Sequence, residues 1–353
     1  MSRRNPFPRR GNAITWAQDI ARLSWQFRAS RALMAAHRTG VFRRLSRSPA
    51  RSATVAADLH LDPDMTERVL IACAAMDLVQ RQSDAWTLTS KAQATLVADS
   101  PFYQGHALDH MNSVWDFWHD LEHALRGRKG ASTFSPDATR TRDHAEFILA
   151  MQSYAMAGRA AELAARVDLT GRKTLLDVGG GPGTYSMALC HRFPQLHATV
   201  FDVPPTIAIA RQAIAQRGFA DRVATLEGDW DTDDFPDDHD ALLMSNVLHG
   251  PSSNAEMKLH KALRCLSPDG LLILQDFLLN DEKTGPLVPA LFTIMVGAYS
   301  LPELLALVAA AGFTSISHQP MPRESGQTLI TARKPCVGAH RHAMSLDLAS
   351  HAI

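Results

Sequence analysis

The chain has 353 residues, of which 46% are hydrophobic and 20% charged, the composition of a folded protein of about two domains. Its 36 basic side chains balance 36 acidic ones, so the surface as a whole is not built for nucleic acid. No apolar run of about 18 residues occurs, and Cys73, Cys190, Cys265 and Cys336 stand far apart without a CxxC pair, which excludes a cysteine-only zinc cluster and fits reduced thiols in a cytoplasmic protein.

The balance is uneven along the chain. Residues 1–51 hold twelve arginines and a single acid, Asp19. An arginine-rich, acid-poor start is compatible with a transit peptide. The preferred reading is a flexible basic arm over residues 1–25 that runs into a packing helix, with Leu33, Ala36 and Val41 at helical spacing. The acids between Asp231 and Asp240 follow no fixed ligand spacing and read as a solvated loop, so no metal is expected. Residues 336–353 read as a flexible tail.

Residues 26–110 read as helices followed by a hairpin. A helix ends near Gly40, a short one follows, and the chain turns at Leu61-Asp62-Pro63 into a second helix, Asp64 to Met76, capped by Asp64 or Thr66. Strands at Leu78–Arg81 and Ala85–Leu88 with Ser83-Asp84 between them complete a winged-helix layout. Such a layout often binds DNA. Here the second helix is mostly apolar and offers only Arg68 to phosphates, so packing or dimerisation is the favoured role. Residues 111–165 form linking helices. Met111, Trp115, Trp118 and His119 recur at spacings of three or four, as on one helical face. A further helix runs from about Ala145 into the second half.

From residue 166 to 335 strand-like runs alternate with helical patterns, as in a parallel sheet covered by helices. The strongest motif is LLDVGGGPGTYSMAL, Leu175 to Leu189. An apolar strand ends at Asp177, and Gly179, Gly181 and Gly183 form a G-x-G-x-G turn before a helix. Glycine lets the backbone approach a ligand and take positive φ, and the helix start offers free N–H groups. This spacing fits one nucleoside with a charged amino-acid tail better than a pyrophosphate. The next strand ends at Asp202, where a carboxylate can accept both ribose hydroxyls. The one after ends at Asp229-Trp230, an acid for an adenine amino group and an indole for its ring face. Three successive strand ends define one crevice.

On the motifs DVGGGPG, FDVPP, EGDW, SNVLHG, SPDGLLILQDFLLNDEKTGP and AYSLPELLALVAAAGF, with FILAM upstream, residues 30–335 resemble the S-adenosylmethionine-dependent O-methyltransferases of the plant and bacterial small-molecule type, relatives of acetylserotonin and hydroxyneurosporene O-methyltransferases. The resemblance implies an α/β fold: a Rossmann-like class I methyltransferase domain preceded by an α-helical winged-helix dimerisation domain. It implies a homodimer that methylates a hydroxyl of a small aromatic or polycyclic metabolite, with S-adenosyl-L-methionine held by Met151, Asp177, Gly179, Gly181, Gly183, Asp202, Val203, Gly228, Asp229, Trp230, Ser245 and Asn246. Met111, Trp115, Trp118, Phe292 and Met295 would line the acceptor pocket. His249, at the end of the ALLMSNVLH strand, matches the family's base, and Asp276 matches the acid that orients it. Gly250-Pro251 replaces the usual Asp-Trp after that histidine, and the segment before Tyr299 is too short to carry the family's second acid. That departure leaves open C-methylation of a tetrapyrrole or other polycycle, or a tailoring reaction without methyl transfer. A winged-helix regulator sensing a nucleoside-like ligand is the reading from another class.

Overall fold

A computed structural model of the chain describes residues 12–127, 143–322 and 325–336. Of the segments expected to be flexible, residues 1–11 and 337–353 lie outside the described residues. The chain divides into two compact units, Met1–Trp115 and Asp116–Ile353.

In the first unit the expected flexible arm is instead helical from Asn12 to Trp25. Its Trp16, Ile20 and Leu23 fall at helical spacing, which makes an amphipathic helix and not a coil. Helices Phe27–Arg38 and Val41–Arg47 meet at Gly40, whose φ of +85° sharply redirects the chain. Helices Ser52–Leu59 and Pro63–Ala75 follow. The second is capped by Asp62, whose carboxylate accepts from the Met65 N–H at 2.8 Å, and not by Asp64 or Thr66. Pro63 has its φ preset for the first helical position, which makes the residue before it the cap. Strands β1 (Val79–Gln82) and β2 (Ala85–Leu88) form the antiparallel wing. Phe42, Leu45, Val55, Leu70, Cys73 and Trp86 close the core of this unit.

Met111 does not share a continuous helix with the tryptophans. The stretch breaks into Gly105–Ser113, Trp115–His119 and Leu121–Leu125, so its 3.6-residue register is interrupted.

The second unit carries a seven-stranded sheet. Its strands are β3 (Thr174–Val178), β4 (His197–Asp202), β5 (Val223–Glu227), β6 (His239–Ser245), β7 (Leu266–Phe277), β8 (Thr314–Pro320) and β9 (Gln327–Arg333). The order is β5-β4-β3-β6-β7-β9-β8, parallel from β5 to β7, with β9 antiparallel to both neighbours. Successive side chains point to opposite faces of a strand. Leu175, Leu243 and Ile273 therefore pack on one face with helices Ala160–Arg166, Thr184–Arg192 and Pro204–Gln216. Leu176, Leu242 and Leu272 pack on the other with helices Ala255–Cys265 and Leu301–Ala310. The helix expected to run unbroken from Ala145 is kinked between Asp143–Tyr154 and Ala160–Arg166, because Ala157 and Gly158 leave the helical conformation and Gly158 takes a φ of +113°.

Candidate active site

Chain order reverses at β3, which is flanked by β4 on one side and β6 on the other. Ligands of open α/β sheets bind at such a switch point, outside the strands' carboxyl ends. The three strand ends read from the sequence are side by side here. Gly179 N–H donates to Phe201 O at 2.8 Å, and Gly228 N–H donates to Asp202 O at 3.0 Å.

The glycine loop is shaped for close approach. A Cβ on Gly179 would lie 2.8 Å from Val247 Cγ2 and 3.1 Å from Trp230 Cζ3, so the loops after β3, β5 and β6 converge on this residue. Gly181, at φ +54°, faces open space: an added Cβ would meet nothing within 4 Å. Asp202 is 3% exposed. Its Oδ2 accepts from Gly181 N–H at 2.9 Å and its Oδ1 from Val203 N–H at 2.8 Å. Burial raises its pKa against the pull of those two hydrogen bonds.

Asp177 sits differently from the expectation of a ligand-facing acid. It is buried beneath the loop, where its Oδ2 accepts from Ser186 Oγ at 2.7 Å and where a Cβ on Gly180 would collide with it. Its place is that of a support for the turn. Burial pushes its pKa up to about 7, with the Ser186 hydrogen bond opposing and the charge of Asp202 adding to the rise.

Asp229 folds its carboxylate back onto the Asp231 N–H at 2.9 Å, while its own N–H donates to Asp233 Oδ2 at 2.8 Å. The acidic stretch is an ordered loop clamped by buried lysines on one helix. Lys261 Nζ donates to the carbonyls of Trp230, Asp231 and Asp233 at 3.1, 3.2 and 2.7 Å. Lys258 Nζ lies 3.0 Å from Asp231 Oδ1 and 5.8 Å from the centre of the Trp230 ring. Ser245 and Asn246, at the end of β6, join a polar network. Gln275 Nε2 donates to Tyr185 Oη, Ser245 Oγ and Gln327 Oε1, and Gln327 Nε2 donates to Asn246 Oδ1 at 2.6 Å.

His249 does not end a strand. β6 stops at Ser245, and the histidine stands four residues on, in the loop. Asp276, near the end of β7, receives three hydrogen bonds: from Leu248 N–H at 3.1 Å, from Phe277 N–H at 2.8 Å, and from His249 Nδ1 at 2.8 Å. An ionised carboxylate only accepts, so with Asp276 ionised Nδ1 carries the hydrogen and a neutral ring keeps Nε2 as its basic nitrogen. The His249 side chain is 25% exposed, that of Asp276 4%. Phe292, on helix Leu287–Val296, meets the His249 ring edge-on at 4.9 Å and Phe277 at 4.5 Å.

Of the other residues expected to face the acceptor, Met295 is half-buried on the same helix as Phe292. Trp118 packs edge-on against Phe117 at 5.7 Å in the second unit. In the first unit Met111 is exposed, and Trp115 lies 6.5 Å from Phe27 beneath the Arg31 guanidinium. Met151 is half-buried on helix Asp143–Tyr154. Sequence reasoning did not single out Gln275, Tyr185, Phe277 or Lys261. The one available signal was Lys258 and Lys261, three residues apart on a helix that follows an acidic stretch.

A seven-stranded sheet of this order, parallel but for one antiparallel strand, with a glycine loop after β3 and an acid ending β4, is the architecture of class I S-adenosylmethionine-dependent methyltransferases, and here it also carries a histidine held by a buried carboxylate. The profile of the O-methyltransferase domain matches residues 118–313, and that of the O-methyltransferase dimerisation domain matches residues 21–98. The chain belongs to the S-adenosylmethionine-dependent O-methyltransferase family. It is 29% identical over 302 residues to a 3-hydroxy-5-methyl-1-naphthoate 3-O-methyltransferase of Streptomyces sahachiroi, covering 81% of this chain and 84% of that one. It is 28% identical to the N,N-dimethyltransferase OxyT of Streptomyces rimosus, over 91% of this chain and 98% of that one. Its fold matches the crystal structure of human N-acetylserotonin methyltransferase in complex with SAM, with a TM-score of 0.78 and 23% identity over 93% of this chain and 99% of that one.

The residues present fit the cofactor. Gly181 leaves open space above the loop, and the Asp202 carboxylate, bonded by the Gly181 and Val203 N–H groups and the Thr206 hydroxyl, keeps acceptor capacity beyond these three.

Proposed function

We propose that this enzyme methylates a hydroxyl on a small aromatic or polycyclic metabolite, with His249 as general base and Asp276 as the residue that fixes its ring. The hydrogen bond of 2.8 Å between His249 Nδ1 and Asp276 Oδ1 carries the reading. Bound S-adenosylmethionine supplies a methyl group already activated on a sulfonium. The protein's task is then to place the acceptor in line and take its proton. His249 Nε2 takes that proton, and Asp276 stabilises the imidazolium that results. Phe292, half-buried, edge-on to His249 and backed by Phe277, offers an apolar aromatic surface beside the base, suited to a ring system. The naphthoate ring named for the Streptomyces sahachiroi relative is of this type. Asp202 would accept the ribose hydroxyls, Asp229 and Trp230 would receive the adenine, and Met151, Val203, Gly228, Ser245 and Asn246 complete the proposed cofactor shell around the glycine loop.

Family membership favours this reading over a regulator. The test is turnover of labelled cofactor against a panel of phenols, naphthols, indoles and tetrapyrroles, with His249→Ala beside the wild type. The variant is expected to lose about 10²–10⁴-fold in turnover, the scale of general-base help, and to keep its cofactor affinity. Turnover within a few-fold of wild type would make the histidine structural.

The working state is proposed to be a homodimer. The dimerisation-domain match and the exposed stripe of Trp16, Ile20 and Leu23, at 64, 66 and 60% exposure, support it. Among the described residues no helix is long and apolar enough to cross a membrane. Three buried free thiols, Cys73, Cys190 and Cys265, support a reducing, cytoplasmic location.

A further inference from the structure

The kink at Ala157-Gly158 is followed by an arginine, Arg159, that the chemistry above does not use. Here Gly158, at φ +113°, redirects the chain just before Arg159. The guanidinium carbon lies 5.1 Å from the centre of the Tyr154 ring and 5.9 Å from that of Phe277. Rings stabilise a cation but accept no strong hydrogen bond from its five N–H donors. Among the described residues no carboxylate pairs with Arg159, and it is half-buried.

Phe277 is also the far end of the aromatic row. His249 touches Phe292, Phe292 touches Phe277, and Phe277 lies under Arg159. The proposed base therefore stands at one end of this aromatic row, and at the other stands a cation that no carboxylate among the described residues pairs with.

We propose that Arg159 is the anion-binding residue of this site and that its ligand is a carboxylate. Planar guanidinium groups favour carboxylates through paired, charge-assisted hydrogen bonds. Two bound molecules offer that chemistry: an aromatic acceptor bearing an acid group remote from its methylated hydroxyl, and the amino-acid tail of the cofactor. The inference rests on the methyl-transfer reading above.

The test is calorimetry on the full-length protein with two matched pairs of probes. S-adenosylmethionine is compared with methylthioadenosine, which lacks the amino-acid tail. A hydroxynaphthoate is compared with the corresponding naphthol in the presence of saturating S-adenosylhomocysteine. In at least one pair the carboxylated member is expected to bind wild type about tenfold tighter or better, the scale of one charge-assisted hydrogen bond. Arg159→Gln removes that preference and leaves the uncharged member within about twofold, while Arg159→Lys keeps part of it. The pair that responds names the source of the carboxylate. If wild type prefers neither carboxylate, or if the preference survives Arg159→Gln, the assignment is overturned. Should the glutamine variant fail to fold, Arg159→Lys and Arg159→Met are read by the same criterion. Wild type that binds neither nucleoside sinks the methyl-transfer reading as well, whereas an unchanged Arg159→Gln sinks the anion site alone.

Discussion

Gly250 lies against Gly297, so closely that a Cβ on Gly250 would come within 3.0 Å of the Ala298 nitrogen and 3.1 Å of the Gly297 carbonyl carbon. The segment before Tyr299, too short for the second acid of the family, runs here as Val296-Gly297-Ala298 against the loop of His249. The histidine is thus held from two directions, by the Asp276 carboxylate and by backbone packing behind Gly250.

Gly250→Ala should damage the reaction more than it damages cofactor binding. Gly250 has φ +58° with ψ −173°, a conformation nearly closed to residues with a Cβ. Strain there is worth about 1–3 kcal/mol. The expected result is a fall in kcat of about tenfold or more, from displacement of the proposed base, with calorimetric affinity for S-adenosylmethionine within about twofold. An unchanged kcat would show that the contact does not position His249.

Asp202→Ala removes both the proposed ribose acceptor and the brace on Gly181. A lost hydrogen bond to a charged group is worth about 1.5–3 kcal/mol, so cofactor affinity should fall by about ten- to a hundredfold. Asp202→Asn, which keeps an acceptor oxygen, should fall less. Equal affinities for wild type and Asp202→Ala, measured by calorimetry, would remove this residue from the proposed site.

The raised pKa of Asp177 gives a signed pH effect. In the unfolded chain its carboxyl titrates near 3.9; in the folded protein burial holds it at about 7. Between these values the folded state binds more protons than the unfolded one, so this group's contribution to stability declines as pH rises through the window and levels off above it. Asp177→Asn cannot titrate. Urea unfolding at about pH 4.5 and about pH 7.5 should show the wild type losing stability relative to the variant on going to the higher pH. A constant difference between the two proteins would contradict the assignment.

Ile20→Glu tests the stripe on the helix Asn12–Trp25. Obligate dimers bury interfaces on the order of 2,000 Å² or more, rich in apolar contact. A charge in the middle of that stripe should shift the mass by light scattering from dimer toward monomer at micromolar concentration. A wild type already monomeric there would refute the homodimer.

The parallel strands from Thr174 to Phe277 were legible because their apolar runs, buried on both faces in most of them, alternate with helical patterns, and because glycine and acidic residues punctuate their ends. Strands β8 and β9 were not read. Thr314–Pro320 is largely exposed and polar, so its pairing with Gln327–Arg333 leaves no apolar signal. The pairing of His249 with Asp276 was expected from the family motif, and the structure gives its distance. The roles of Gln275 and Gln327 were hidden because a glutamine in a strand is indistinguishable in sequence from a solvated one until its partners are known. Asp177 misled for a related reason: an acid at a strand end reads alike whether it faces a ligand or supports the turn beneath it. The broken helices at Val114 and Gly158 escaped notice because apolar spacing continues across both breaks.

Asp202 accepts from the N–H groups of Gly181 and Val203, one on each oxygen, and from the Thr206 hydroxyl. The same carboxylate that would meet the ribose therefore already sets the shape of the glycine loop. The conformational entropy of ordering that loop falls within the folding equilibrium and is absent from the binding step. Exchange of spent for fresh cofactor can then proceed on a cradle that keeps its form between turnovers, and any change at residue 202 that alters grip must also alter the rigidity of the cradle.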